Sequence, residues 1–192
     1  MGPLPMQVTS TSLPDVRLVV PKRFGDARGY FVETWNEQAF ALNGLERRWV
    51  QDNQSLSATP GTVRGMHYQL APFAQTKLIR VLAGRILDVV VDIRRGSPTF
   101  GRHVAVELTA DGLEQLFIPA GFAHGFCTLE PNTAVAYKVD APYSRECERA
   151  ILWNDPALGI DWPAMAGASV SDKDAVAPWL AKATDLFDSQ PA

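Results

Sequence analysis

The sequence predicts an all-β fold, a sandwich or barrel of many short strands. Three observations carry this reading. From Thr62 onward, runs rich in Val, Ile, Thr and aromatic residues recur at roughly ten-residue spacing. Turn residues separate them: Gly84 alone, Asp111-Gly112 and Pro131-Asn132. Within one run, Leu87, Val89, Val91 and Ile93 share one face by strict alternation, while Asp88 and Asp92 fall on the other with Ile86 and Val90.

Taken in order, residues 1–22 suggest an irregular lead-in that ends in a strand at Val16–Val20. Phe24 to Glu33 has turn residues at Gly25-Asp26 and Gly29 before an aromatic strand start, which suggests a surface hairpin. Asn36 to Gly44 reads as a short helix, capped by Asn36 and closed by Gly44 in a left-handed conformation. Val50 to Ser55 is a polar strand, so Gln51 and Asn53 lie either on a solvated face or in a pocket. Thr76–Ala83 and Arg85–Arg94 flank Gly84 and suggest a tight hairpin, as do His103–Thr109 and Glu114–Ile118 around Asp111-Gly112. Phe126–Glu130 and Thr133–Asp140 flank a further turn. Beyond Tyr143 the periodicity fades. Trp153-Asn154-Asp155-Pro156 and Asp161-Trp162-Pro163 read as ordered loops pinned by aromatics, and Val176 to Phe187 as partly helical.

The chain has 192 residues, enough for one domain with a sizeable core, and 46% hydrophobic against 20% charged residues is ordinary for a globular chain. A net charge of −3 argues against nucleic acid or an acidic membrane as partner, but leaves room for a local cationic site. Cys127 and Cys147 are too few for a disulfide framework and are expected to be free thiols in a reducing compartment. Met1 to Ser10 lacks the pattern of a signal peptide, and no apolar run approaches a membrane span, so a cytoplasmic protein is expected.

The chemistry concentrates in Val63-Arg64-Gly65-Met66-His67-Tyr68-Gln69 and the nearby Lys77. A strand normally gives one face to the core, so a His and a Lys at such positions need a reason. A histidine with an ordinary pKa of roughly 6.5 is suited to accept a proton at neutral pH. A carboxylate on its far ring nitrogen would orient it; Asp88, Asp92, Asp172 and Asp174 all qualify by type. Tyr137 shares a face with Val135 and Val139, whereas Lys138 points the other way. Strict alternation places Arg64 and His67 on opposite faces, unless Gly65 permits a bulge. His67, His103 and His124 form no His-x-His pair, so the ligand pattern of a metal-dependent barrel enzyme is missing and no metal or other cofactor is expected.

Arg64 to Gln69, Lys77 and Asp88-Val89-Val90-Val91-Asp92-Ile93-Arg94 together resemble the dTDP-4-dehydrorhamnose 3,5-epimerase family. Ser97-Pro98-Thr99-Phe100-Gly101, Pro119 to Phe126, Tyr137-Lys138 and Trp153 to Pro156 extend the resemblance, from about Phe24 to about Pro178 in the family's order and spacing. It implies a metal-free cupin-type jelly roll with short peripheral helices, usually a homodimer. The chain would be a single epimerase domain, 1–192, with a jelly-roll core of about 45–165 and the N-terminal strands and C-terminal segment packed on it. The implied reaction inverts C3 and C5 of a dTDP-4-keto-6-deoxyhexose by moving protons beside the C4 ketone. By position, His67 matches the base, Asp174 its partner, Tyr137 the proton donor and Lys77 the lysine near the ketone oxygen. Tyr143 matches the tyrosine that stacks on thymine. Arg28, Phe31, Glu33, Gln51, Asn53, Arg64, His124, Glu148 and Lys173 fall on nucleotide- and sugar-binding positions, and the segment carrying Arg28 and Glu33 serves the neighbouring subunit's site. One departure stands out: the family continues its second tyrosine as Tyr-Ser-Pro, whereas here Ser144 is followed by Arg145. The rival readings are an enzyme inverting only C3 or only C5, and a non-catalytic cupin that binds sugar nucleotides.

Overall fold

A computed structural model describes residues 2, 4–163 and 167–188. The lead-in is more regular than expected. Strand β1 (Met6–Ser10) pairs antiparallel with β2 (Arg17–Pro21), and the hairpin β3 (Arg23–Asp26) and β4 (Gly29–Val32) follows. Helix α1 (Glu37–Leu42) starts where Asn36 accepts the Ala39 N–H at 3.0 Å, and Gly44 follows it at φ +72°.

Eleven further strands follow in the chain. They are β5 (Gln51–Ser57), β6 (Val63–Gln69), β7 (Lys77–Ala83), β8 (Arg85–Asp92), β9 (Arg94–Arg95), β10 (His103–Thr109), β11 (Gln115–Ile118), β12 (Phe122–Thr128), β13 (Thr133–Val139), β14 (Glu148–Ala150) and, near the end, β15 (Phe187–Asp188). Between the last two come α2 (Asp172–Ala175) and one 3₁₀ turn, Leu180–Lys182, so only part of the stretch from Val176 to Phe187 is helical.

One sheet has the order β1-β2-β11-β7-β13-β5 and the other β10-β8-β12-β6-β14. The two expected hairpins at Gly84 and Asp111-Gly112 are absent: β7 and β8 lie in different sheets, and so do β10 and β11. The Pro131-Asn132 turn likewise carries the chain across, from β12 to β13. A hairpin that pairs its own strands needs at least two loop residues, and Gly84 is one. It turns a corner at φ +76°, where an added Cβ would lie 3.1 Å from Thr133 Cα. Apart from β9, which pairs with β15, and the β8–β10 pair, strands from β6 to β14 thus alternate between the two sheets, and this makes the jelly roll. The sheets remain two layers and do not close into one barrel among the described residues.

Three apolar layers result. Ile79, Val81, Ile86, Val90, Phe126 and Val135 pack between the sheets. Val89, Val91 and Ile93 face outward under Trp153, Leu158, Trp162 and Leu180, so β8 is buried on both faces. Each such side chain contributes about 1.5–3 kcal/mol on burial. The loops over this outer face are pinned as expected: Trp162 Nε1 donates to the Trp153 carbonyl at 2.8 Å, and the Asp155 carboxylate accepts the Leu180 N–H at 2.8 Å. This cover carries α2 back against β6. The third layer packs Phe40 of α1 with Val19, Leu78 and Phe117 on the outside of the six-stranded sheet. No helix among the described residues is long and apolar enough to cross a membrane.

Candidate active site

The site begins with an irregularity in β6. Opposite β12, His67 pairs with His124 but Arg64 pairs with Phe126, so β6 spends one extra residue between them. Gly65 makes this possible: its φ is +132°, and an added Cβ would fall onto Gly125 Cα and lie 2.8 Å from the His124 carbonyl. Val63, Met66 and Tyr68 therefore feed the outer core, while Arg64 and His67 both line one cavity of about 660 Å³ between the sheets.

Asp174, 107 residues away in sequence, supplies the carboxylate for His67: Oδ1 lies 2.6 Å from Nε2. Its other oxygen accepts the Gly65 N–H at 3.3 Å, and Ser171 caps the turn that holds it. Burial alone would raise this carboxyl, but the hydrogen bonds from His67, Gly65 and Ser171 and the charge of His67 hold it below the ordinary carboxylate range. Of the other candidates, Asp92 is taken by Arg94 at 2.7 Å, and Asp88 pairs with His124 at 2.6 Å. Two histidines that line the cavity from neighbouring strands thus each have an aspartate partner.

The facing sheet supplies the rest. Tyr137 on β13 lines the cavity, while Lys138 turns outward to Asp52 at 2.7 Å. Burial pushes the Tyr137 phenol above its usual value, Arg64 lowers it and Glu148 raises it further, so it keeps its proton at neutral pH. Lys77 Nζ donates to the His67 carbonyl at 3.4 Å. Burial drives this ammonium down to about 8, against the opposing pull of Asp88 and Glu148. Gln51 and Asn53 are hydrogen-bonded to each other at 2.8 Å on β5, with Asn53 directly opposite Tyr137.

Beside the cavity, Glu148 bridges Lys173 at 2.6 Å and accepts the Tyr143 hydroxyl at 3.1 Å. The loop that departs from the Tyr-Ser-Pro pattern is held without the proline. Gln51 Oε1 accepts the Tyr143 N–H at 3.0 Å, and Gln69 Oε1 accepts the Ser144 N–H at 2.8 Å. Arg64 bonds only to Ser57 and the Leu56 carbonyl, so its charge is not neutralised by a carboxylate among the described residues.

Arg28, Phe31 and Glu33 are not brought to this cavity. Arg28 projects from the β3–β4 hairpin with a 90% exposed side chain paired to Asp26, and Phe31 is 63% exposed. The cavity also takes in Val63 and Phe126 from the motifs named above, and Ser55, Thr62, Ser169, Val170 and Ser171, which sequence reasoning did not single out. Only Ser171 carried a legible signal, as a cap three residues before Asp174.

Such a site sets an oriented imidazole on one wall, and a protonated phenol and an ammonium on the other, with a guanidinium not neutralised by a carboxylate among the described residues. A family model described as dTDP-4-dehydrorhamnose 3,5-epimerase matches residues 10–182. The chain belongs to the dTDP-4-dehydrorhamnose 3,5-epimerase family. Within this family, a dTDP-4-dehydrorhamnose 3,5-epimerase of Sinorhizobium fredii (strain NBRC 101917 / NGR234) is 51% identical over 175 residues, which cover 91% of this chain and 90% of the relative. A crystal structure of dTDP-6-deoxy-D-glucose-3,5-epimerase from Legionella pneumophila Philadelphia 1, in complex with dTDP-4-keto-L-rhamnose, matches with a TM-score of 0.91 and 42% identity, covering 97% of this chain and all (100%) of that one. A 3'-monoepimerase from Streptomyces bikiniensis in complex with dTDP-quinovose matches with a TM-score of 0.85 and 33% identity, over 90% of this chain and 87% of that one. The cupin-type jelly roll that the resemblance implies is thus the fold observed.

Proposed function

We propose that this protein inverts C3 and C5 of a dTDP-4-keto-6-deoxyhexose by abstracting and returning protons beside the C4 ketone. One observation carries this reading: His67 and Tyr137 stand on different sheets across a single cavity. A proton next to a ketone is a weak acid, so its removal needs an oriented base and a stabilised enolate oxygen. His67, oriented by Asp174, takes the proton. Lys77 stabilises the enolate, and Tyr137 returns a proton to the opposite face, which is what inversion requires. Arg64 and Lys173 suit the diphosphate, while Gln51, Asn53, His124 and Glu148 hold sugar and nucleotide and Tyr143 stacks on thymine. The enzyme is a cytoplasmic homodimer in this reading. Arg28, Phe31 and Glu33 complete the neighbour's site, which accounts for an exposed aromatic hairpin distant from its own cavity.

The test is incubation with dTDP-4-keto-6-deoxyglucose in D₂O, with deuterium located by NMR. Labels at both C3 and C5 are expected. A label at C3 alone would make this a monofunctional enzyme, and no label at either carbon would leave only a binding protein.

A further inference from the structure

A carboxylate bonded through one oxygen only sits in the middle of β8. Asp88 is wholly buried, between Ile86 and Val90 on the face that packs between the sheets. Its Oδ1 lies 2.6 Å from His124 Nε2, and its Oδ2 has no hydrogen-bond partner among the described residues. Burying a half-satisfied carboxylate is unfavourable, and an aliphatic side chain would suit these surroundings better. What Asp88 acts on accounts for its place. His124 reaches it from β12, and Lys77 interacts with it electrostatically from the facing sheet. With Nε2 committed to Asp88, His124 has only Nδ1 left for a ligand in the cavity that it lines.

We infer that Asp88 is a positioning residue: it fixes which nitrogen His124 offers to the sugar nucleotide, and through His124 it bears on Lys77 in the same cavity. This rests on the epimerase reading above. The groups acting on Lys77 are Asp88 on β8, Glu148 on β14 and His67 on β6, whose carbonyl accepts from Nζ. Burial pulls the ammonium down to about 8, and Asp88 is the foremost charge opposing that pull. The two histidines are direct cross-strand partners, each with its own aspartate. His67–Asp174 serves the proton; His124–Asp88 serves the charge that waits for it.

The test is Asp88→Asn in the full-length enzyme, an amide of the same size. We expect kcat to fall at least tenfold and KM to rise as well, because His124 no longer offers one fixed nitrogen to the sugar nucleotide. The alkaline limb of kcat should move down, because Asp88 is the foremost charge that opposes the effect of burial on Lys77. Lys77 itself is titrated by the pH dependence of its reductive methylation, read by mass spectrometry, and its midpoint should fall likewise. A purely structural Asp88 would lower thermal stability but leave both midpoints where they are, and that result in folded protein overturns the inference. Should Asp88→Asn not fold, His124→Gln keeps the carboxylate and removes its partner. The Lys77 midpoint should then hold or rise, and a fall would contradict the inference. If wild type incorporates no deuterium, the epimerase reading fails, while the Lys77 titration in the same samples still judges Asp88.

Discussion

Arg64 and His67 line the same cavity although they are three residues apart on one strand. A regular strand would send them to opposite faces; the extra residue at Gly65 returns them to one. Gly65→Ala should therefore damage both stability and catalysis. Its φ of +132° disfavours any side chain, and the new Cβ would press on Gly125 and the His124 carbonyl. Strained backbone costs about 1–3 kcal/mol. Thermal denaturation should show a loss of at least that size, with kcat/KM reduced well beyond the unfolded fraction. A variant as stable and active as wild type would show that the bulge does not depend on glycine.

The alkaline limb of activity should be set by Lys77. The enolate needs an ammonium, and burial lowers this one to about 8. As pH rises through about 8 the charge is lost, so kcat should fall there and not at the ordinary lysine value of about 10.4. Lys77→Met should reduce kcat by roughly 10²–10³-fold, the scale for removing one group that stabilises an oxyanion. Its residual activity should lack that limb. A limb unchanged in Lys77→Met would assign it to another group.

Much of this was legible in the sequence. Asn36 and Gly44 predicted the ends of α1, alternation separated Tyr137 from Lys138, and Gly65 signalled the bulge. Strand partners were not legible. Gly84 and Asp111-Gly112 have hairpin-like turn chemistry, yet both turn the chain between sheets, because partner choice depends on which faces pack together and not on the turn alone. The histidine partners were equally hidden from local pattern. Asp88 and Asp174 are the same residue type; the family resemblance alone pointed to Asp174 for His67, and the fold that brings α2 back to β6 assigns Asp174 to His67 and Asp88 to His124. Strand β14 is three residues long, too short for any periodicity to register.

Asp174→Asn should separate orientation from charge. The carboxyl sits below its ordinary range in the folded protein, so its contribution to stability is present above about pH 4 and lost as pH falls through the lowered folded value. The variant should be less stable than wild type at neutral pH, with the difference shrinking below pH 4. Its kcat should drop by about 10²-fold or more at every pH. Equal stability curves would mean that the pair contributes nothing to the fold.

If the β3–β4 hairpin completes the neighbour's site, two inactive variants should complement. Arg28→Ala and His67→Ala subunits, mixed and allowed to exchange, should regain activity from one intact site per heterodimer. A monomer by light scattering, fully active at the same concentration, would refute the shared site.

The account stands or falls on two walls doing two jobs, and deuterium exchange in paired variants tests this most directly. His67→Asn should neither incorporate deuterium from D₂O nor form epimer, because nothing takes the proton. Tyr137→Phe should still exchange deuterium at the carbons beside the ketone while forming inverted product about 10²–10⁴-fold more slowly. Inversion by Tyr137→Phe at the wild-type rate would contradict the account.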